Sequence, residues 1–123
     1  MPKILLVDDD ETVRYSLQRV LTHAGYEVVE AADGQQALAR FASTRPDLII
    51  TDIVMPEQDG LGLLNSVRSR NTKVPILVIS GGGATMGMDY LLMAQTMGAD
   101  AILAKPFDNN VLLTKVAGLL EPS

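Results

Sequence analysis

Five side chains in this sequence could carry out phosphoryl chemistry if the fold brought them together. They are Asp8 and Asp9 in the run VDDDET (7–12), Asp52 in IITDIVMP, Ser80 and Lys105. Three carboxylates within a few ångströms cannot all stay ionised unless a cation neutralises them. Oxygen-only ligation that leaves water positions open suits Mg²⁺, which typically bridges carboxylates to phosphate oxygens. An ionised Asp is a competent nucleophile toward phosphorus, while a Lys ammonium and a Ser hydroxyl can supply counter-charge and a donor to the phosphoryl oxygens. Together the five read as an aspartyl-phosphate site. Within the triplet itself, cap, cation ligand and nucleophile compete as roles, since Asp is a favoured N-cap and acids suit the first helical turn. Capping is the stronger reading for Asp10, and the remaining constellation moves Asp8 and Asp9 toward function.

The elements that would position these residues follow from hydrophobic patterning. Short aliphatic runs occur at KILLV (3–7), YEVVEA (26–31), DLIIT (47–51), VPILVIS (74–80) and DAILA (100–104). The first, third and fourth have apolar stretches without alternation, as strands do when both faces of a parallel sheet are covered. Between them lie stretches of helical period. Val13, Leu17, Val20, Leu21 and Ala24 mark the first, with Gly25 as its stop. Ala37, Leu38 and Phe41 mark a second, and Leu61, Leu64 and Val67 a third. A fourth falls near 88–97 before Gly98, and a fifth near 108–120 carries Val111, Leu112, Lys115 and Val116. The order is (βα)5, an α/β fold. Right-handed crossovers make this a doubly wound parallel sheet whose ligand site lies at the carboxyl ends of the strands. Asp8 with Asp9, Asp52, Ser80 and Lys105 leave the ends of the first, third, fourth and fifth strands, so this topology predicts their convergence.

Composition sets the remaining bounds. A chain of 123 residues that is 47% hydrophobic fits one domain over 1–123, with no output domain expected. A net charge of −5 and the lack of any long basic run argue against a nucleic-acid partner. Absence of cysteine excludes disulfides and zinc–thiolate sites, and a single histidine, His23, cannot build a histidine metal cluster. The N-terminal apolar stretch is too short for a signal peptide or membrane span, which predicts a cytoplasmic protein without a membrane partner.

The segments ILLVDDDETVR, PDLIITDIVMPEQDGLGLL, VPILVIS and GADAILAKPF, in this order and spacing, resemble the receiver domain of two-component response regulators over nearly the whole chain. The resemblance is to chemotaxis-type single-domain receivers. It implies a flavodoxin-like sheet of strand order 2-1-3-4-5. It also implies phosphorylation of Asp52 by a histidine kinase or a histidine phosphotransfer protein. Asp9, Asp52 and the Val54 carbonyl would bind Mg²⁺, with Asp8 acting through a metal-bound water. Ser80 would move toward the phosphoryl group, Lys105 would pair with it, and the Lys105–Pro106 bond would be cis. Such a protein is a signalling phosphoacceptor that catalyses its own phosphotransfer and slow dephosphorylation, rather than a turnover enzyme. An unidentified downstream protein would read the switch through the fourth helix and fifth strand.

Two rival readings use the same residues. ILLVDDDET also fits the first motif of haloacid-dehalogenase-like phosphatases, Asp-x-Asp-x-Thr at Asp8, Asp10 and Thr12, with Asp8 as nucleophile. That reading leaves TDIVMPEQDG unexplained. A receiver-like adaptor that is never phosphorylated would not need the acidic cluster. The glycines of SGGGATMG (80–87) lack the following Lys-Ser/Thr of a phosphate loop. Three departures from the family pattern bear on mechanism. Ile102 stands where receivers commonly carry a switching Tyr or Phe. The stretch from Ser80 to Gly98 is longer than usual, and because Ile102 cannot act as an aromatic switch the signal is expected in the Gly81–Gly87 loop and the fourth helix. Val54 and Gly82 replace polar side chains that influence attacking water, so self-hydrolysis should depend on access and on the metal. Tyr90, Met93 and Met97 share a helix face, and core or ordinary surface is the better reading for them than a contact surface.

Overall fold

A computed structural model describes residues 1–52, 60–70, 73–80, 98–104 and 107–121, with the backbone alone described at 60–64 and at Ser80. Five strands, β1 (Lys3–Val7), β2 (Glu27–Ala31), β3 (Leu48–Asp52), β4 (Ile76–Ser80) and β5 (Ala101–Ala104), form one parallel sheet. Their order is β2-β1-β3-β4-β5, as the resemblance implies. The described helices are α1 (Glu11–His23), α2 (Gly34–Thr44), α3 (Gly60–Ser69) and α4 (Asn109–Leu120). Here α4 is the fifth helical stretch of the sequence, because the stretch near 88–97 lies outside the described residues.

Strand alternation splits the core in two. Leu5 and Val7 of β1 join Ile49, Val78, Ala37 and Val67 on the face covered by α2 and α3. Ile4 and Leu6 join Ile50, Leu77, Leu17, Leu21, Leu112 and Val116 on the face covered by α1 and α4. Covering both faces explains why β1, β3 and β4 read as apolar without alternation. Each fully buried Leu or Ile here contributes on the order of 2 kcal/mol relative to exposure. Val111 departs from the helical pattern drawn for this region and is 44% exposed. One residue corresponds to about 100° of helix, which turns Val111 away from the stripe made by Leu112 and Val116.

Local signals set the helix ends. At α1, Asp10 Oδ1 accepts from Thr12 N at 2.9 Å and from Val13 N at 3.2 Å, an N-cap. The helix closes on Gly25 at φ 101°, with Gly25 N donating to Thr22 O (3.0 Å) and Tyr26 N to Leu21 O (3.2 Å). That pair is a Schellman motif, and the left-handed conformation is why glycine stands there. Asp33 and Asp108 cap α2 and α4 in the same way.

The amino end of the sheet is tied by Arg68, the last basic residue of α3. Its guanidinium donates to Val74 O (2.8 Å), to Gly98 O (3.1 and 2.9 Å) and to Asp100 Oδ2 (2.7 Å). Asp100 Oδ2 also accepts from Ile76 N at 2.9 Å. One carboxylate and one guanidinium thus align the entries to β4 and β5, whose register delivers Ser80 opposite Ala104 at the other end.

Candidate functional site

The chain crosses from β1 to β2 on one side and pairs β1 with β3 on the other, so the topological switch point lies between β1 and β3. Val7 is level with Thr51 across that pair. The next residues, Asp8 and Asp52, therefore leave neighbouring strands at the same height. Asp8, Asp9 and Asp52 each offer a carboxylate oxygen, and the three oxygens lie within 4.8 Å of one another. Asp8 is buried at 2% exposure, Asp9 is exposed and Asp52 is intermediate. The cluster therefore grades from core to solvent. A divalent ion entering from outside would meet Asp9 first.

Backbone contacts hold these acids in place. Asp8 N donates to Ala31 O (3.1 Å), Asp10 N donates to Asp8 Oδ1 (2.9 Å), and Arg14 Nη1 donates to Asp8 O (2.6 Å). On β3, the fully buried Thr51 hydroxyl donates to Asp52 O at 2.9 Å, so the polar group before Asp52 is satisfied without water. Asp10 is a cap, as its position suggested.

The donor set fits a hard divalent cation. Two oxygens bound to one octahedral Mg²⁺ can be at most about 4.2 Å apart, twice its ligand distance. A cluster already within 4.8 Å reaches that by small side-chain rotations or by placing a water between one carboxylate and the ion. Carboxylates alone, with no imidazole or thiolate among them, favour Mg²⁺ over softer metals.

The other residues singled out in the sequence stand differently. Ser80 ends β4, with its backbone level with Ala104, and β5 stops one residue before Lys105. The Ser80 side chain, Val54, Lys105 with Pro106, and the whole of 81–97, including Tyr90, Met93 and Met97, lie outside what is described. Ile102 is partly buried and packs on the α2/α3 side of the core. An open groove of about 710 Å³ between α1 and α4, lined by Ser16, Arg19, Val20, His23, Ala24, Asn109 and Leu113, contains none of the acids. Sequence reasoning missed Arg14, Thr51 and Glu30, whose Oε1 accepts from Arg14 Nε at 3.1 Å. Glu30 carried a signal, being a charged residue in a strand one position before a buried Ala31.

A flavodoxin-like parallel sheet with an acid cluster at its switch point defines a class of phosphate-handling α/β domains. Within that class, residues 4–117 match the model of the response regulator receiver domain, and the chain belongs to that family. It is 42% identical over 118 residues to response regulator MprA of Mycolicibacterium vanbaalenii, covering 96% of this chain and 50% of that protein. It is 40% identical over 119 residues to transcriptional regulatory protein PrrA of Mycobacterium leprae, covering 97% and 50%. The chain thus spans about half the length of these curated relatives. Among solved structures it superposes on chemotaxis protein CheY4 of Vibrio cholerae with a TM-score of 0.86 at 34% identity, covering 98% and 99% of the two chains. For the receiver domain of NtrX from Brucella abortus the TM-score is 0.90 at 31% identity, covering 98% and 99%.

Membership makes this a receiver domain of phosphorylation-activated two-component signalling. Response regulators take phosphoryl groups from histidine kinases, and receiver domains generally bind Mg²⁺ at an acidic pocket, of which the Asp cluster is the counterpart. The expected exclusion of a nucleic-acid partner is not supported, because a transcriptional regulatory protein is among the relatives. Among the described residues no helix is long and apolar enough to cross a membrane.

Proposed function

We infer that this domain accepts a phosphoryl group on Asp52, from a phosphohistidine of a kinase or phosphotransfer protein, with Asp9 and Asp52 as Mg²⁺ ligands. The observation that carries the reading is the meeting of Asp8 and Asp9 from β1 with Asp52 from β3, carboxylate oxygens within 4.8 Å. Asp52 ends its strand at intermediate exposure, which suits a carboxylate that a phosphoryl donor must reach. Asp8, buried behind it, is poorly placed as a nucleophile and well placed to accept a hydrogen bond from a water on the ion.

In the transfer, an Asp52 carboxylate oxygen bonds to phosphorus as the phosphorus–nitrogen bond to the donor imidazole breaks, and the imidazole leaves with the electron pair. Held by Asp9 and Asp52, Mg²⁺ would supply charge neutralisation for this transfer. Val54 would contribute its carbonyl to the ion, and Ser80 its hydroxyl and Lys105 its ammonium to the phosphoryl group. These three roles rest on the family motif. Neither Val54 nor Gly82 has a polar side chain to orient an attacking water, so the slow hydrolysis of the acyl phosphate is governed by access and by the metal. The domain functions as one unit over 1–123 in a cytoplasmic setting, and the phosphoryl group biases a two-state equilibrium that a downstream protein reads.

Intact-mass measurement with acetyl phosphate tests this. The wild-type chain is expected to gain one phosphoryl group only when Mg²⁺ is present, and Asp52→Asn to gain none. Labelling that persists in Asp52→Asn or in excess chelator would overturn the assignment.

A further inference from the structure

The contacts behind the acid cluster assign a role to a residue outside it. Arg14, on the second turn of α1, donates from Nη1 to Asp8 O at 2.6 Å and from Nε to Glu30 Oε1 at 3.1 Å. Its side chain is only 17% exposed, whereas Glu30 is 44% exposed. Glu30 is fixed in turn, level with Leu6 in the β1–β2 ladder and with its carbonyl accepting from Arg40 Nε at 3.2 Å. One planar guanidinium thus joins α1, the end of β1 and the end of β2.

The Asp8 carbonyl is not an incidental partner. It belongs to the rigid planar unit that also contains the nitrogen and Cα of Asp9, so holding this oxygen orients Asp9. On its other side Asp8 is held by the bond from its N–H to Ala31 O, and beyond Asp9 the chain enters the Asp10 cap. Asp9 therefore sits on a peptide pinned in front by Arg14 and behind by a capped helix, with its exposed carboxylate aimed at the cluster. We propose that Arg14 is a positioning residue for the cation site, which sets the Asp8–Asp9 peptide so that Asp9 meets Asp52, with Glu30 as its anchor. The inference rests on the Mg²⁺ phosphoacceptor reading.

Charge alone would have the opposite sign. A guanidinium beside three carboxylates repels a divalent ion, so removing it would tighten binding if Arg14 acted only as a charge. Glu30 offsets that charge and leaves the hydrogen-bonded clamp. Lysine cannot substitute, because a single ammonium lacks the two-sided planar fork.

Calorimetric titration of MgCl₂ into the metal-free chain separates these cases, with thermal melts in chelator reporting whether each variant is folded. Both Arg14→Ala and Arg14→Lys are expected to weaken Mg²⁺ binding on the order of 10-fold, the usual effect of losing a residue that orients a metal ligand. Glu30→Ala, at an exposed position that should leave folding intact, is expected to weaken it less, and to add nothing in an Arg14→Ala background. Equal or tighter binding by the Arg14 variants, or by Glu30→Ala should the Arg14 variants not fold, overturns the clamp. A wild-type chain that takes up no Mg²⁺ overturns both the clamp and the reading beneath it, while normal wild-type uptake with unaffected variants removes the clamp alone.

Discussion

Replacing Asp10 with Ala removes the acceptor for Thr12 and Val13 N–H and is expected to cost about 1 kcal/mol of stability, with only a small loss of Mg²⁺ affinity because Arg14 still holds the Asp8–Asp9 peptide. Replacing Asp9 with Ala should do the reverse. Mg²⁺ uptake falls sharply, while the metal-free chain melts at the same temperature or higher, because one of three mutually repelling charges is gone. Melts and Mg²⁺ titrations on the two variants check this, and similar behaviour of both would contradict the division of roles. The convergence of Asp8, Asp9 and Asp52 was legible in the sequence because strand ends in a doubly wound sheet meet at one edge. Arg14 and Thr51 were not. An Arg on an amphipathic helix usually extends into solvent, whereas in the folded chain this one turns back to the Asp8 carbonyl.

The strands were legible as aliphatic runs, and the ends of α1 were written locally by Asp10 and Gly25. What sequence patterning could not supply is the amino-end tie, since Arg68 and Asp100 lie 32 residues apart and meet only once β4 and β5 are in register. Asp100→Ala takes away the acceptor for both Arg68 Nη2 and the buried Ile76 N–H. A loss of about 1–2 kcal/mol is expected, from the lower part of the range for orphaned donors because Asp100 is 42% exposed. Asp100→Asn keeps an acceptor for Ile76 N–H and should lose less. Denaturant titration compares the two, and equal stabilities for Ala and wild type would show that the tie contributes nothing. The exposure of Val111 illustrates the limit of periodicity, which identifies a helix more reliably than the edge of its buried stripe.

At the scale of the molecule, phosphorylation at the carboxyl edge must change something a partner can feel. Ile102 is packed into the α2/α3 side of the core and has no ring edge to exchange between pocket and surface. The signal is therefore expected in residues 81–97, between β4 and β5. Amide hydrogen exchange with Mg²⁺ and beryllofluoride, a phosphoryl mimic, should alter protection across 81–97 while β1 to β3 stay unchanged, and identical protection there would sink this assignment. All of it depends on which carboxylate carries the phosphoryl group. The decisive measurement is to phosphorylate the chain with acetyl phosphate and Mg²⁺, reduce the acyl phosphate with borohydride, and map the product by peptide mass spectrometry. Reduction at Asp52 alone is the expected result. Reduction at Asp8, or none at all under conditions where Mg²⁺ is bound, would contradict the assignment of this domain as a receiver phosphorylated at the end of β3.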